Sequence, residues 1–261
     1  MIAVLQLGSL DYAAAINLQQ RLVSLRKEGK IPDTLLLLEH PPVITLGRNA
    51  KASNVLASRE LLASERVEVF ECDRGGDVTF HGPGQLVAYP IFDLRAFPSR
   101  QPERKTLGVI EFVRGLEEVL IRVCAEFGIM TERVPGLTGV WTAPDRSSTQ
   151  AKIAAIGVHI SRGITSHGFA LNVSTNLDYF NLIIPCGITS KPVTSMEREL
   201  NGAIPMERVI KSVIASSAEV FQKECQQLET LDDLLQKKFD VPLKLPSEFR
   251  KMHNEEETFW A

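Results

Sequence analysis

The chain has 261 residues, 44% of them hydrophobic, and a net charge of -3 from 29 Lys and Arg against 32 Asp and Glu. That is ample apolar sequence for the core of one large domain, and it offers no general attraction to nucleic acid or to an anionic membrane. Its four cysteines, Cys72, Cys124, Cys186 and Cys225, are scattered without a Cys-x-x-Cys pair, which argues against a disulfide scaffold and for a reducing compartment.

The first predicted element is a strand over 2–7. No basic leader or apolar signal core precedes it and no apolar stretch is long enough to span a membrane, so a soluble, cytoplasmic protein is expected, with a monomer as the default. Ala15, Leu18, Leu22 and Leu25 recur at helical spacing behind the cap candidate Asp11, and Gly29 and Pro32 end the helix. Residues 34–39, with four leucines in a row, read as a fully buried strand, and 67–71 and 86–92 as further strands. A long helix then carries Val109, Ile110, Val113, Leu116, Leu120, Val123, Cys124 and Phe127 on one apolar stripe and stops at Gly128. Cys124 is expected to be core.

The hydrophilic loop 143–150 leads into strand-like segments at 152–160 and 166–173. A hairpin centred on Gly163 would place His159 opposite His167, Gly157 opposite Phe169 and Ile156 opposite Ala170. Gly157 is then either part of a ligand-bearing floor or a bulge. Thr194 to Glu197 is a capping-box pattern, and Pro205 opens a helix with Met206, Val209, Ile210, Val213, Ile214, Val220 and Phe221 on its apolar face. A small helix near 228–239 and a polar tail over 242–261 complete the chain. Strands and helices mix without regular alternation, which predicts an α+β fold rather than a doubly wound sheet. The expected organisation is a catalytic domain over 1–215, with a helical extension and polar tail over 216–261 packed on or appended to it.

Two segments carry chemistry. From Arg74 to Gln85 the chain holds four glycines and a proline in twelve positions, a shaped loop with a fixed charge in Arg74 and a proton donor or acceptor in His81. Its spacing fits neither a Walker loop nor a dinucleotide fingerprint. The second is Pro185-Cys186-Gly187-Ile188, a turn after an apolar run that would display Cys186 as a nucleophile if a neighbour stabilises its thiolate. A lone cysteine is otherwise a core filler. Candidate activators are Lys152, Lys191, His81, His159 and His167. In straight register Lys152 shares a face with Ala154, Ile156, Val158 and Ile160, where burial would disfavour its charge; it can also snorkel at the strand end. No metal-binding spacing occurs, and His40 and His253 lack nearby partners. His40, just before Pro41-Pro42, is expected at a strand end.

In order and spacing, several motifs over residues 1–215 resemble the lipoyl(octanoyl) transferase family, related to the lipoate and biotin protein ligases. They are Glu39 through Arg48; Arg74-Gly75-Gly76 through Phe80-His81-Gly82-Pro83-Gly84-Gln85; Gly139-Val140-Trp141; Lys152 through Gly157; His167-Gly168-Phe169-Ala170-Leu171-Asn172; Phe180 with Ile183 through Ile188; and Thr194 through Glu197. The resemblance implies a class II synthetase-like α+β domain whose mixed sheet is flanked by helices. It implies transfer of an octanoyl group from acyl carrier protein to a lysine of lipoyl domains, in the E2 subunits of 2-oxoacid dehydrogenases and in the glycine cleavage H protein, without ATP, cofactor or metal. It makes Cys186 the site of an acyl thioester and Lys152 the group that favours its thiolate and shuttles protons. Arg74, Gly75, Gly76, Asp77, Val78, Thr79, Phe80 and His81 would line the acyl pocket with Ala155, Ile156, Gly157, Gly168, Phe169 and Ala170, and amides near Gly187 would stabilise the oxyanion. Ala151 stands where many family members carry a basic residue. The rival readings are an ATP-dependent lipoate ligase, a noncatalytic acyl-carrier or lipoyl-domain binding protein, and a cysteine thioester hydrolase.

Overall fold

A computed structural model describes residues 1–99, 101–143, 150–185 and 191–236. Cys186, with Gly187 and Ile188, lies outside the described residues, as do His253 and the predicted tail.

The first half of the chain supplies β1 (Ile2–Ser9), α1 (Tyr12–Lys27), β2 (Asp33–Glu39), β3 (Val43–Leu46), α2 (Arg59–Ser64), β4 (Glu68–Glu71), β5 (Val78–His81) and β6 (Gln85–Ile91). The second half supplies α3 (Val109–Glu126), β7 (Thr131–Glu132), β8 (Val140–Thr142), β9 (Lys152–Ser161), β10 (Ile164–Asn172), α4 (Met196–Leu200), α5 (Met206–Phe221), β11 (Cys225–Leu228) and α6 (Leu231–Gln236). Eight strands form one mixed sheet in the order β11-β1-β2-β6-β10-β9-β8-β7, and β4-β3-β5 form a small second sheet. β1, β2 and β11 run parallel, while pairing from β2 through β7 is antiparallel. The architecture is α+β, a large mixed sheet flanked by helices.

Alternation along the central strands sends side chains to two cores. Leu35, Leu37, Leu86, Ala88, Phe169 and Leu171 pack with α3 and α5 on one face; Leu36, Leu38, Val87, Tyr89 and Ala170 pack with α1 and α6 on the other. In α3 the buried stripe is Phe112, Leu116, Val119, Leu120, Val123 and Cys124. Val109 and Ile110 were expected in it, but they are 51% and 76% exposed, because the stripe starts with Phe112 one turn into the helix. Burial pushes the Cys124 thiol up to about 12, which leaves it inert.

Three local expectations shift by one position or gain an element. Arg162 and Gly163 both have positive φ, 53° and 85°, the signature of a two-residue type I′ turn. The hairpin is therefore centred between them, and Gly157 faces Gly168, Ile156 faces Phe169 and Ala155 faces Ala170. No register shift interrupts β9 against β10, so Gly157 is not a bulge there. At the start of α4 the cap is Ser195, whose Oγ accepts the Arg198 N–H, while Thr194 bonds Glu199. Between α5 and α6 the chain adds β11, which pairs with β1 at the sheet edge. The 215/216 boundary falls inside α5, and residues 216–236 complete that helix, the edge strand and α6.

Candidate active site

The floor of the site is a consequence of small residues on neighbouring strands. Ala155 pairs with Ala170, which pairs with Val87, and Gly157 pairs with Gly168. The two alanines and two glycines leave a trough on the α1 side of the sheet. Its walls are Tyr12 of α1, Tyr89 of β6, the Arg74–Asp77 loop, and Thr79 and His81 of β5; the cavity volume is about 50 Å³.

The wall loop needs its glycines because it is wedged between two strands. Gly75 N–H donates to the Val158 carbonyl at 3.0 Å, and a Cβ on Gly157 would lie 2.6 Å from the Gly75 carbonyl oxygen. On the other side a Cβ on Gly47 would lie 2.5 Å from the Gly76 oxygen. Gly76 itself sits at φ 92°, where side chains are strained. Arg74 is buried, donating from Nε and Nη2 to Thr45 Oγ1 (3.1 and 2.9 Å) and from Nη2 to the Thr45 carbonyl (2.6 Å). Among the described residues no carboxylate lies within ion-pair distance of it.

Burial, reinforced by His40 and Arg74, pulls His81 down to about 3, so its ring is neutral. Nδ1–H donates to Gln85 Oε1 at 2.7 Å, and Nε2 faces Thr45 Oγ1 at 3.4 Å. Gln85 Nε2 donates to Asn172 Oδ1 (2.8 Å), and Asn172 Nδ2 donates to the Thr194 carbonyl (2.9 Å). Thr194 N–H in turn donates to the Lys152 carbonyl at 2.9 Å. A continuous set of hydrogen bonds thus joins the trough wall to the backbone of Lys152.

Lys152 is 7% exposed. It lies at a register shift where Trp141 pairs with it and Val140 skips to Ala154, so one extra residue separates it from the regular part of β9. Its Nζ sits 4.7 Å from the Trp141 ring centroid. The chain on either side of residues 186–190 is tied to this region. Ile184 N–H donates to the Asn54 carbonyl at 2.7 Å while Asn54 Nδ2 donates to Asp77 of the wall loop at 2.6 Å. On return, the Pro192 carbonyl accepts from Lys152 N–H at 2.9 Å and Val193 bridges to Lys152.

Of the residues expected to line a pocket, Arg74, Gly75, Gly76, Asp77, Thr79, His81, Ala155, Ile156, Gly157, Gly168, Phe169 and Ala170 surround this trough. Val78 and Phe80 do not. As alternate residues of β5 they point into the opposite cluster with Ile44 and Phe180, where Phe80 stacks on Tyr179 at 4.7 Å. Tyr12, Val87 and Tyr89 were not anticipated as lining. His167 also lines the trough and is hydrogen-bonded to Asp73, with His159 Nε2 3.7 Å from the same carboxylate, so neither ring stands beside Lys152. Lys191 is beside Lys152, over the same Trp141 ring at 5.5 Å. His40 closes β2 as expected and is held by the Leu10 carbonyl and the Tyr89 hydroxyl. Among the described residues no three His, Cys, Asp or Glu side chains are grouped to hold a metal ion.

The overall fold, a large mixed sheet flanked by helices, is shared with lipoate protein ligases. The chain superposes on the bipartite lipoate protein ligase of Thermoplasma acidophilum with a TM-score of 0.67 at 14% identity, covering 99% of this chain and 100% of that one. A lipoate-protein ligase A bound with ATP matches with a TM-score of 0.65 at 14% identity, over 92% and 95% of the two chains. In sequence, residues 11–218 match the model of the lipoyl protein ligase A/B catalytic domain. The octanoyltransferase of Koribacter versatilis is 57% identical over 98% of both chains, and that of Acidobacterium capsulatum is 56% identical over 90% of this chain and 96% of its own. The chain belongs to the lipoyl protein ligase A/B family, in its octanoyltransferase branch, and is an acyltransferase.

Proposed function

We propose that this acyltransferase moves an octanoyl group from acyl carrier protein to a lysine of a lipoyl domain through a thioester on Cys186. The Cys186 thiolate attacks the carrier thioester and expels the carrier thiol, with Lys152 taking the Cys186 proton and returning one to the leaving sulfur. The amine of the target lysine then attacks the acyl-enzyme, forming an amide and restoring the thiol. Thioester exchange is nearly isoenergetic and amide formation is downhill, so ATP has no role. The acceptors are the lipoyl domains of 2-oxoacid dehydrogenase E2 subunits and the glycine cleavage H protein, and the enzyme works as a cytoplasmic monomer.

The observation that carries this reading is a buried lysine on the strand that supplies the trough floor, three residues before Ala155, in backbone contact with the segment that follows Cys186. The small floor suits a slender aliphatic chain. The names of the relatives support the choice of octanoyl. The test is intact-mass measurement after mixing the protein with octanoyl carrier protein, ATP omitted, followed by addition of a lipoyl domain. The expected results are an octanoyl adduct lost in Cys186→Ala, formed about a hundredfold more slowly in Lys152→Ala, and discharged onto the lipoyl domain. A strict need for ATP, or an adduct that survives in Cys186→Ala, would refute the mechanism; adduct formation at the wild-type rate in Lys152→Ala would remove that residue from it.

A further inference from the structure

A second cavity lies end to end with the trough on the same face of the sheet, lined by Gln19, Val23 and Lys27 of α1 and by Asp73, His159 and Ser166. Going along β9 from Lys152, the chain passes Ala155 and Gly157 on the trough floor and reaches this second cavity at His159, each same-face step being about 7 Å. One side chain lines both spaces: His167. Its position is not that of an ordinary strand residue. His167 pairs with Val158, which packs on the α3 side, so simple alternation would turn the ring away from α1. Instead it has φ 54°, a left-handed conformation that costs energy for a side-chain-bearing residue and persists where the surroundings enforce it. The enforcement is visible: Gln19 Oε1 accepts the His167 N–H at 2.7 Å, His167 Nε2 donates to Asp73 Oδ1 at 2.7 Å, and the ring stands edge-on to Tyr89 at 6.3 Å.

We propose that the His167 ring, latched by Asp73, is the partition that closes the far end of the acyl trough and sets the longest chain the enzyme accepts. The inference rests on the acyl-trough reading above. A chain longer than the trough must displace the ring, break its bond to Asp73 and enter a space where Ile16 and Val23 stand among polar and charged groups. With the ring removed, the two cavities become one channel, and each further methylene that is buried gains about fourfold in binding.

The test compares kcat/KM for dodecanoyl and octanoyl carrier proteins in one protein at a time, so that a general loss of activity cancels. Wild type should strongly prefer octanoyl. His167→Gly suits the left-handed backbone and removes the ring, and it should raise the dodecanoyl-to-octanoyl ratio at least tenfold. Asp73→Ala alters a side chain that is 62% exposed and leaves the ring present but unlatched, so it should move the ratio the same way by a smaller factor even if His167→Gly does not fold. An unchanged ratio in Asp73→Ala and in any folded His167→Gly, or a wild type that takes both donors equally, overturns the partition while leaving the transferase reading intact. A wild type that forms no adduct with any donor overturns that reading and the partition with it.

Discussion

Gly157→Ala isolates the fit between the wall loop and the sheet. Gly157 lies in a regular stretch of β9, where alanine by itself would stabilise the chain by about 0.5–1 kcal/mol. The added Cβ would stand 2.6 Å from the Gly75 carbonyl oxygen and 3.3 Å from Arg74 Cδ, whereas ordinary contact begins at 3.4 Å. The overlap is about 0.8 Å against backbone, which cannot swing aside as a side-chain end does. Relief requires lifting the loop and stretching the Gly75 N–H to Val158 bond, now 3.0 Å. Overpacking of this kind costs about 1–3 kcal/mol, and it displaces Arg74 to Asp77 from the trough. Urea unfolding should show the loss in midpoint, and the rate of octanoyl adduct formation should fall about tenfold or more, since small misplacements at a reacting site are expensive. Gly8 is the control: a Cβ there meets nothing within 4 Å, so Gly8→Ala should cost only the strain of its φ of 62° and leave adduct formation alone. Wild-type stability and wild-type acylation in Gly157→Ala would refute the account of the loop.

Two further outcomes follow from the buried polar groups. Burial lowers His40 to about 4, and burial with neighbouring His40 and Arg74 lowers His81 to about 3; the unfolded chain takes up those protons near pH 6.5. Stability is therefore whole above about pH 6.5 and falls as the pH drops toward 4, by about 1.4 kcal/mol per pH unit for each histidine; urea midpoints across this range should show the slope, and His81→Gln should flatten it. Asn172→Ala leaves one Gln85 amide hydrogen and the Thr194 carbonyl without their present partner, at a cost of about 1–3 kcal/mol for each unsatisfied group, and loosens the Thr194 contact with Lys152. Acylation should slow with its pH profile altered, whereas a purely structural role for Asn172 would lower the urea midpoint and leave that profile unchanged.

The periodic elements were legible because burial writes a period into them. The four leucines of β2, the stripe of α3 and the apolar face of α5 each announce a surface to be covered. The departures come where the signal is one residue wide. Whether the β9–β10 turn holds two residues or is centred on Gly163 depends on Arg162 adopting positive φ, which composition does not reveal, and one residue of register exchanges Phe169 for Gly168 opposite Gly157. β11 is Cys225-Gln226-Gln227-Leu228, half exposed and without β-branched residues, so only its place beside β1 makes it a strand. The same period of two explains Val78 and Phe80: in a contiguous run along β5, only alternate residues can face one cavity.

The site was readable as a set of motifs, yet its wiring was not, because the links run through backbone and across long sequence separations. Tyr12 and Tyr89 belong to segments with no glycine pattern and reach the trough only because α1 and β6 pack on it. Thr45, within the Glu39–Arg48 motif, takes three hydrogen bonds from Arg74 that the motif alone does not announce. A buried guanidinium held by a hydroxyl and a carbonyl, with no carboxylate in reach among the described residues, carries a desolvation cost that no ion pair offsets. Its return is positional. Arg74 fastens the wall loop to Thr45 of β3 while Gly75 fastens it to Val158 of β9, so the loop spans the small sheet and the large one. The width of the trough is thereby set by two anchors on strands remote from the loop in sequence, and the glycines and arginine that announce the loop carry no mark of where either anchor lies.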